Sequence, residues 1–465
     1  MFTFAGKLHI NNFSCIMANV IKIKKGLDIN LKGKASDVLL NGGKSESYAI
    51  VPDYYNGILP KVVAKVGEKV KAGSVLMIDK NRPEIKFVSP VSGEVTAVNR
   101  GEKRKVLSIV VKPDAQIEYE EFGKKNVASL QGAEVKEVLL NAGMWPFIKQ
   151  RPYDIVAAPL DTPRDIFVSA FYSAPLAPNF DFIVKGQEAD FQTGLNALAK
   201  LTNGKVYVGV RSGSVVSGMK GVEIVEVEGP HPAANVGVQI NHIKPVNKGE
   251  VVWTVNPADV IVIGRLFNKG VADFSRMVAI TGSETTERGY VKTISGCTIK
   301  SLVNGKVLGQ EHIRIISGNV LSGTKVMKDD YLGAYDNQIT VIPEGDETHD
   351  FFGWATPGFG KFSVSHSFPA WLMGKNKEYV IDARIKGGKR AMIMSNEYES
   401  VFPMDIMPEY LLKAIIAFDI DKMENLGIYE VAPEDFALCE FVDTSKLELQ
   451  KIVRDGLDRL MKEMN

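Results

Sequence analysis

Apolar positions change their spacing several times along the chain, and each change predicts a different kind of element. From about Met17 to Asp114, short runs rich in Val, Ile and Lys are broken by glycine, the pattern of short strands joined by tight turns. The clearest block is Val63-Ala-Lys-Val-Gly-Glu-Lys-Val-Lys-Ala-Gly-Ser-Val-Leu-Met-Ile78, with Gly67 and Gly73 at reversals, followed by Val88-Ser-Pro-Val-Ser-Gly-Glu-Val95. Two similar half-motifs predict two interlocked sheets related by a pseudo-repeat. From about Glu134 to His242, buried-strand runs at Ile155–Pro159, Ile166–Ala170 and Lys205–Val210 flank Phe191, Leu195, Leu198 and Leu201 at helical spacing. Strands alternating with helices predict a mostly parallel, Rossmann-like layer. From Glu250 to Ile342 strands are predicted again, at Val251–Val255, Val260–Ile263, Arg276–Ile280, Lys306–Leu308 and Ile313–Ile316. Phe351–Phe368, rich in aromatics and glycine, reads as a strand pair or an ordered loop. The tail from about Tyr379 reads as helical, with Pro408 before Glu409–Phe418, a short helix at Pro433–Leu438, and a last helix carrying the stripe Leu449, Ile452, Val453, Leu457, Leu460 and Met461. That stripe packs on the body of the protein or fits a partner's groove.

The pattern gives a multidomain α+β and α/β chain. The expected divisions are an N-terminal extension over 1–16, with Met17 as the natural start, a barrel-sandwich domain over 17–115, a Rossmann-like α/β domain over 116–249, a β-grasp-like domain with a following β/loop region over 250–375, and a helical domain over 376–465. At roughly 150 residues per domain, 465 residues are enough for about three. Composition narrows the function classes. Lys plus Arg is 56 and Asp plus Glu is 55, so no net field attracts nucleic acid or an anionic membrane. Local basic clusters such as Lys22–Lys25 and Arg100–Lys105 read as solvated surface. Cys15, Cys297 and Cys439 lie far apart, which excludes a local C-x-x-C zinc or iron–sulfur motif and favours a reducing compartment. No apolar run reaches the ~18 residues a membrane span needs, and Met1–Ile16 lacks the basic head and apolar core of a secretory signal.

Candidate chemistry is sparse. No G-x-G-x-x-G opens a helix after a strand, and no Walker A motif occurs; the glycines at 209, 213, 218 and 221 read as turns. The first region resembles biotinyl/lipoyl-type barrel-sandwich domains, whose carrier lysine sits at a hairpin tip. Here the tip falls near Asn81-Arg82-Pro83, and Arg82 occupies the lysine position. Arginine has no primary amine to acylate, so the fold is expected without the swinging arm.

Several strings occur in register: Ile21-Lys-Ile-Lys-Lys-Gly-Leu-Asp-Ile29, Gly229-Pro-His-Pro-Ala-Ala-Asn-Val-Gly237, Val260-Ile-Val-Ile-Gly-Arg-Leu-Phe267, Ile316-Ser-Gly-Asn-Val-Leu-Ser-Gly323, Asp330-Tyr-Leu-Gly333, Val341-Ile-Pro-Glu-Gly345 and Phe352-Gly-Trp354. Together, from about Met17 to the C-terminus, they resemble the A-subunit family of the sodium-translocating NADH:quinone reductases. The resemblance implies a peripheral subunit on the cytoplasmic face of the bacterial inner membrane. Its partners would be the other five subunits, chiefly the membrane-embedded ones. The implied activity of the assembly is a translocase and oxidoreductase, passing electrons from NADH to quinone and exporting sodium. NADH, flavins and iron–sulfur centres would belong to the partner subunits, with quinone the candidate ligand here and no catalytic residue, metal or bound cofactor in this chain.

Related flavin-binding subunits carry a glycine-rich loop and a C-terminal cysteine cluster. At the matching places this chain has Leu140-Asn-Ala-Gly-Met-Trp-Pro-Phe-Ile-Lys-Gln-Arg-Pro152 and a lone Cys439. Bulky Met144, Trp145 and Phe147 stand where glycines would let amides approach a phosphate, and Pro146 has no N–H. For a quinone head, Trp145, Phe147 and Arg151 supply rings and a donor in one short segment, though burying such rings serves a core equally well. His231, between Pro230 and Pro232 on a turn expected at the sheet's edge, suits a donor to a quinone carbonyl or a residue fixing the turn. His242 is too far along a strand or loop to pair with it on a metal. A small-ligand-binding module outside any complex, and an NAD(P)-binding enzyme lacking the usual fingerprint, are the alternatives.

Overall fold

The structure, a computed structural model, describes residues 20–309, 311–347, 358–374 and 376–464. The expected N-terminal extension and the Phe352-Gly-Trp354 string lie outside the described residues. The architecture is mixed α+β, built on four sheets among the described residues.

Glycine-punctuated short runs form two small antiparallel sheets. One orders Tyr48–Ile50, Val106–Pro113, Gly93–Arg100 and Lys69–Val70; the other orders Pro60–Val62, Val75–Asp79 and Lys86–Val88. Leu76, Phe87, Val95 and Ile109 are buried in one core. The hairpin between Val75–Asp79 and Lys86–Val88 carries Arg82 in its turn. The Arg82 guanidinium donates to Asp79 Oδ2 at 2.8 Å, to the Gly57 carbonyl at 2.8 Å and to the Val156 carbonyl at 3.2 Å. The arginine therefore ties the turn to the neighbouring sheet, where a carrier arm would have to swing free.

That neighbouring sheet has seven strands, ordered Val20–Lys22, Glu223–Glu228, Val206–Val210, Ile166–Ser169, Val252–Val255, Ile148–Arg151 and Ile155–Val156. The first five run parallel, and the last two are antiparallel additions. Two strands reach it from outside the span expected for this layer, Val20–Lys22 at one edge and Val252–Val255 inside. Leu39–Leu40 likewise joins a third sheet, beside Gly289–Ile294. Local periodicity shows that a segment is extended but not which strand it pairs with. Gly209, expected in a turn, lies inside Val206–Val210, where a Cβ would meet Gln239 Oε1 at 2.1 Å.

Val260–Ile263, expected as a strand, is instead part of the helix Pro257–Lys269. Its start and stop signals are local: Asn256 Oδ1 accepts from the Ala258 amide, Pro257 opens the first turn, and Gly270 closes the helix in the left-handed region at φ 77°. The helix is buried on nearly every side, so its apolar run lacks the polar face that would have shown a helical period. Gly264 lets it approach Glu188–Ala199 closely, since a Cβ there would sit 1.7 Å from the Asp190 carbonyl oxygen. In its first turn Asp259 meets Arg276 at 2.9 Å; burial lifts the Asp259 carboxyl to about 6 against the pull of that guanidinium.

The third sheet orders Thr324–Val326, Ile313–Ser317, Gln338–Pro343, Ser275–Thr281, Gly289–Ile294 and Leu39–Leu40. Lys306–Leu308, expected as a strand, contributes only an isolated bridge from Val307 to Thr285. The C-terminal helices are Glu397–Val401, Pro408–Ala417, Ile420–Asn425, Ala437–Val442 and Leu449–Met464, so the α-helical part begins later than Tyr379. Leu449, Val453, Leu457 and Leu460 face inward, in a core that also takes Val225 and Val227 from the seven-stranded sheet and Ile23 just beyond its edge strand. Among the described residues, no helix is long and apolar enough to cross a membrane.

Candidate functional site

The segment carrying most of the expected ligand residues is packed rather than open. Helix Gly132–Asn141 ends, a single 3-10 turn follows at Trp145–Phe147, and strand Ile148–Arg151 begins at once. The amides of Ala142, Gly143, Met144 and Phe147 already donate to the carbonyls of Val138, Leu140, Leu139 and Met144. They leave no fork of free N–H groups for a phosphate. Trp145 is fully buried, edge-on to Trp253 with centroids 5.3 Å apart, and its Nε1 donates to the Ala157 carbonyl at 2.8 Å. Its one polar group is satisfied inside the fold. Phe147 is buried against Phe274 at 6.1 Å, and it lines a crevice of about 50 Å³ together with Tyr54, Tyr55 and Phe87.

Arg151 points elsewhere. It leaves the end of its strand for the C-terminal helices, where its guanidinium donates to Asp435 Oδ2 at 2.8 Å and to the Glu430 carbonyl, with Glu434 at 3.6 Å. Burial works against the charge, but Asp435 and Glu434 outweigh it and hold the guanidinium above its ordinary range. Arg151 is therefore a clamp between the seven-stranded sheet and the tail.

His231 follows strand Glu223–Glu228, which is an inner strand because Val20–Lys22 adds outside it. The turn is thus at the carboxyl end of the sheet and not at its edge. The His231 amide donates to Asp28 Oδ1 at 2.9 Å, and its carbonyl accepts from the Leu27 amide. Ser173 Oγ accepts from the Ala234 amide at 3.0 Å and lies in hydrogen-bond contact with His231 Nδ1 at 3.1 Å. Burial pushes the imidazole down to about 4, so the ring is neutral near pH 7. His242 stands on the helix Val236–Ile243, with Nδ1 2.9 Å from the Val238 carbonyl oxygen. The four expected ligand residues therefore do not converge: Trp145 and Phe147 share one core, Arg151 holds the tail, and His231 lies behind Ser173.

An open cleft of about 920 Å³ lies elsewhere. Its walls are the 28–37 segment, the loop 170–181 that follows strand Ile166–Ser169, and Arg211 and Ser214 beyond strand Val206–Val210. Asp28 and Ile29 end the string Ile21–Ile29, but that string does not announce a pocket; the legible signal for one was that two parallel strands end there. Cys297 and Cys439 are both buried, and burial raises both thiols. Among the described residues, no group of three or more His, Cys, Asp or Glu side chains could hold a metal ion.

Comparison with known proteins matches three family models: an NqrA N-terminal barrel-sandwich hybrid domain over residues 21–114, an NqrA second alpha/beta domain over 130–272, and an NQRA C-terminal domain over 277–328. The chain is similar to the A-subunit of the Na(+)-translocating NADH-quinone reductase of Neisseria meningitidis serogroup A, with 36% identity over 96% of this chain and 100% of the relative. The same identity and coverage hold for the A-subunits of Photorhabdus laumondii and Hahella chejuensis. Among solved structures, an NAD+-reducing NiFe hydrogenase in the H2-reduced state overlays with a TM-score of 0.35 at 11% identity, covering 65% of this chain and 55% of that one. That overlay is too loose to bear on fold or function.

Proposed function

The chain belongs to the A-subunit family of the Na+-translocating NADH-quinone reductases, and from that premise we propose that it is a peripheral docking subunit of such a complex. The observation that carries this reading is the match along the whole length of the relative, with no part of it left over. Its role is to support electron transfer from NADH to quinone coupled to sodium export. We place it on the cytoplasmic face of the bacterial inner membrane, held by the membrane-embedded members among five partner subunits, with flavins and iron–sulfur centres carried by those partners. Exposed Leu372, Met373, Ile385 and Ile393, with Tyr410 and Ile416 of helix Pro408–Ala417, are the apolar side chains we assign to docking.

We read the seven-stranded sheet and its helices as Rossmann-like, and the third sheet as β-grasp-like. In chain order the five main strands of the third sheet lie 2-1-5-3-4, with the first and last parallel, which supports that reading. Of the residues advanced for quinone contact, we retain Phe147, because it reaches the small crevice. About 50 Å³ admits the edge of a ring and not a whole head group, so a partner protein would complete the slot. Trp145, Arg151 and His231 then act as packing, clamp and turn-fixing residues.

Affinity purification of the tagged chain from mildly solubilised membranes tests the docking role. The expected result is co-purification of an assembly that reduces quinone with NADH. Recovery of the chain alone, with the activity in the unbound fraction, would overturn it. In that assembly Phe147→Ala should raise the KM for a short-chain quinone several-fold; an unchanged KM would remove Phe147 from the quinone slot.

A further inference from the structure

We propose that the cleft beyond strands Ile166–Ser169 and Val206–Val210 binds a small phosphate ester whose body carries hydroxyl or amino groups, a molecule of mononucleotide size. Position comes first. From Ile166–Ser169 the chain builds Val206–Val210 and Glu223–Glu228 on one side and Val252–Val255 on the other, so the strand order reverses beside it. In open parallel sheets such a reversal parts the loops at the carboxyl ends and leaves a crevice there. The cleft occupies this place, and its volume of about 920 Å³ matches a pocket for a small organic ligand.

Charge selects the ligand class. Lys34 and Arg211 both line the cleft and are exposed, and neither has an ion pair or a side-chain hydrogen bond among the described residues. The Arg211 guanidinium lies over the Phe171 ring, 5.1 Å from its centroid, which positions the group while its N–H edges stay free to donate to phosphate oxygens. The two cations reach the cleft from separate walls, Lys34 from the 28–37 segment and Arg211 from a strand end.

Carboxylates disfavour a bare anion. Asp28 accepts from the His231 amide, Asp37 from Asn179 Nδ2 at 2.8 Å, and Asp181 from the Ser214 hydroxyl at 2.6 Å and the Val215 amide at 3.2 Å. Glu378 has no partner among the described residues. These oxygens repel free phosphate, yet they accept from hydroxyl or amino groups on a larger molecule. A ligand carrying both kinds of group satisfies both halves of the lining. The site is separate from the Phe147 crevice, and the inference does not depend on assembly into a complex.

The test is calorimetric titration of the full chain with AMP, ribose 5-phosphate, adenosine and inorganic phosphate, repeated on Arg211→Gln and Lys34→Gln. Both positions are exposed, and circular dichroism with a thermal melt checks that the variants fold. The expected result is saturable binding of at least one phosphate ester, with adenosine and inorganic phosphate each weaker by about tenfold or more, the weight of one charge-assisted contact. Arg211→Gln should weaken the ester to a similar degree. Absence of saturation by either ester at about 10 mM, inorganic phosphate binding as tightly as the esters, or variants that bind like the parent would each overturn the proposal.

Discussion

At Arg151 a guanidinium nearly free of solvent meets partners more than two hundred residues away, Glu430, Glu434 and Asp435. Removing one side of a buried ion pair leaves the other charged and unpaired, which costs about 3–5 kcal/mol. Arg151→Met should lower unfolding stability by about that amount in a denaturant titration; a loss below about 1 kcal/mol would mean that solvent reaches Asp435. His231 makes a pH prediction. Burial holds its folded-state pKa at about 4, below the ordinary 6.5. Between those values the unfolded chain binds a proton that the folded chain refuses. The contribution is therefore complete above pH 6.5 and is lost as pH falls toward 4, by at most about 3 kcal/mol. His231→Gln should flatten stability against pH across that window; a slope identical to the parent's would show that other groups set it.

Elements show which signals the sequence carries and which it hides. The helix Glu188–Ala199 was legible because its apolar residues fall on one face, and the last helix for the same reason. Pro257–Lys269 reads as a strand because it is buried all round, although Asn256, Pro257 and Gly270 spell out its ends. Its contact with Glu188–Ala199 needs Gly264. Gly264→Ala would drive a methyl into the Asp190 carbonyl, and the overpacking should cost about 1–3 kcal/mol or more in unfolding stability. A neutral effect would mean the two helices can part without loss. At the hairpin turn, Arg82→Met removes the clasp on Asp79, Gly57 and Val156 and leaves the Asp79 carboxylate buried with fewer donors. The expected loss is about 1.5–3 kcal/mol, measured the same way; an unchanged midpoint would make the clasp incidental.

Across the whole molecule, the strings that carry the family resemblance were legible because they are contiguous. The pairing of distant segments was not. Val20–Lys22 and Leu39–Leu40 look like neighbours of the first small sheets, yet each completes a different sheet, because burial of an edge is decided in three dimensions. The same limit explains the candidate site. Trp145, Phe147 and Arg151 are close in sequence, but a turn followed at once by a strand leaves the two rings in one core and sends Arg151 to the tail, while the cleft is assembled from segments that share no common motif. The central claim is that this chain is a working part of a sodium-translocating NADH-quinone reductase. The measurement that tests it most directly is add-back to membranes from cells lacking the chain. NADH-dependent quinone reduction and sodium uptake into inverted vesicles should both be absent and should return together when the purified chain is restored. Full activity without the chain, or no recovery on adding it to membranes that hold the remaining subunits, would contradict the account.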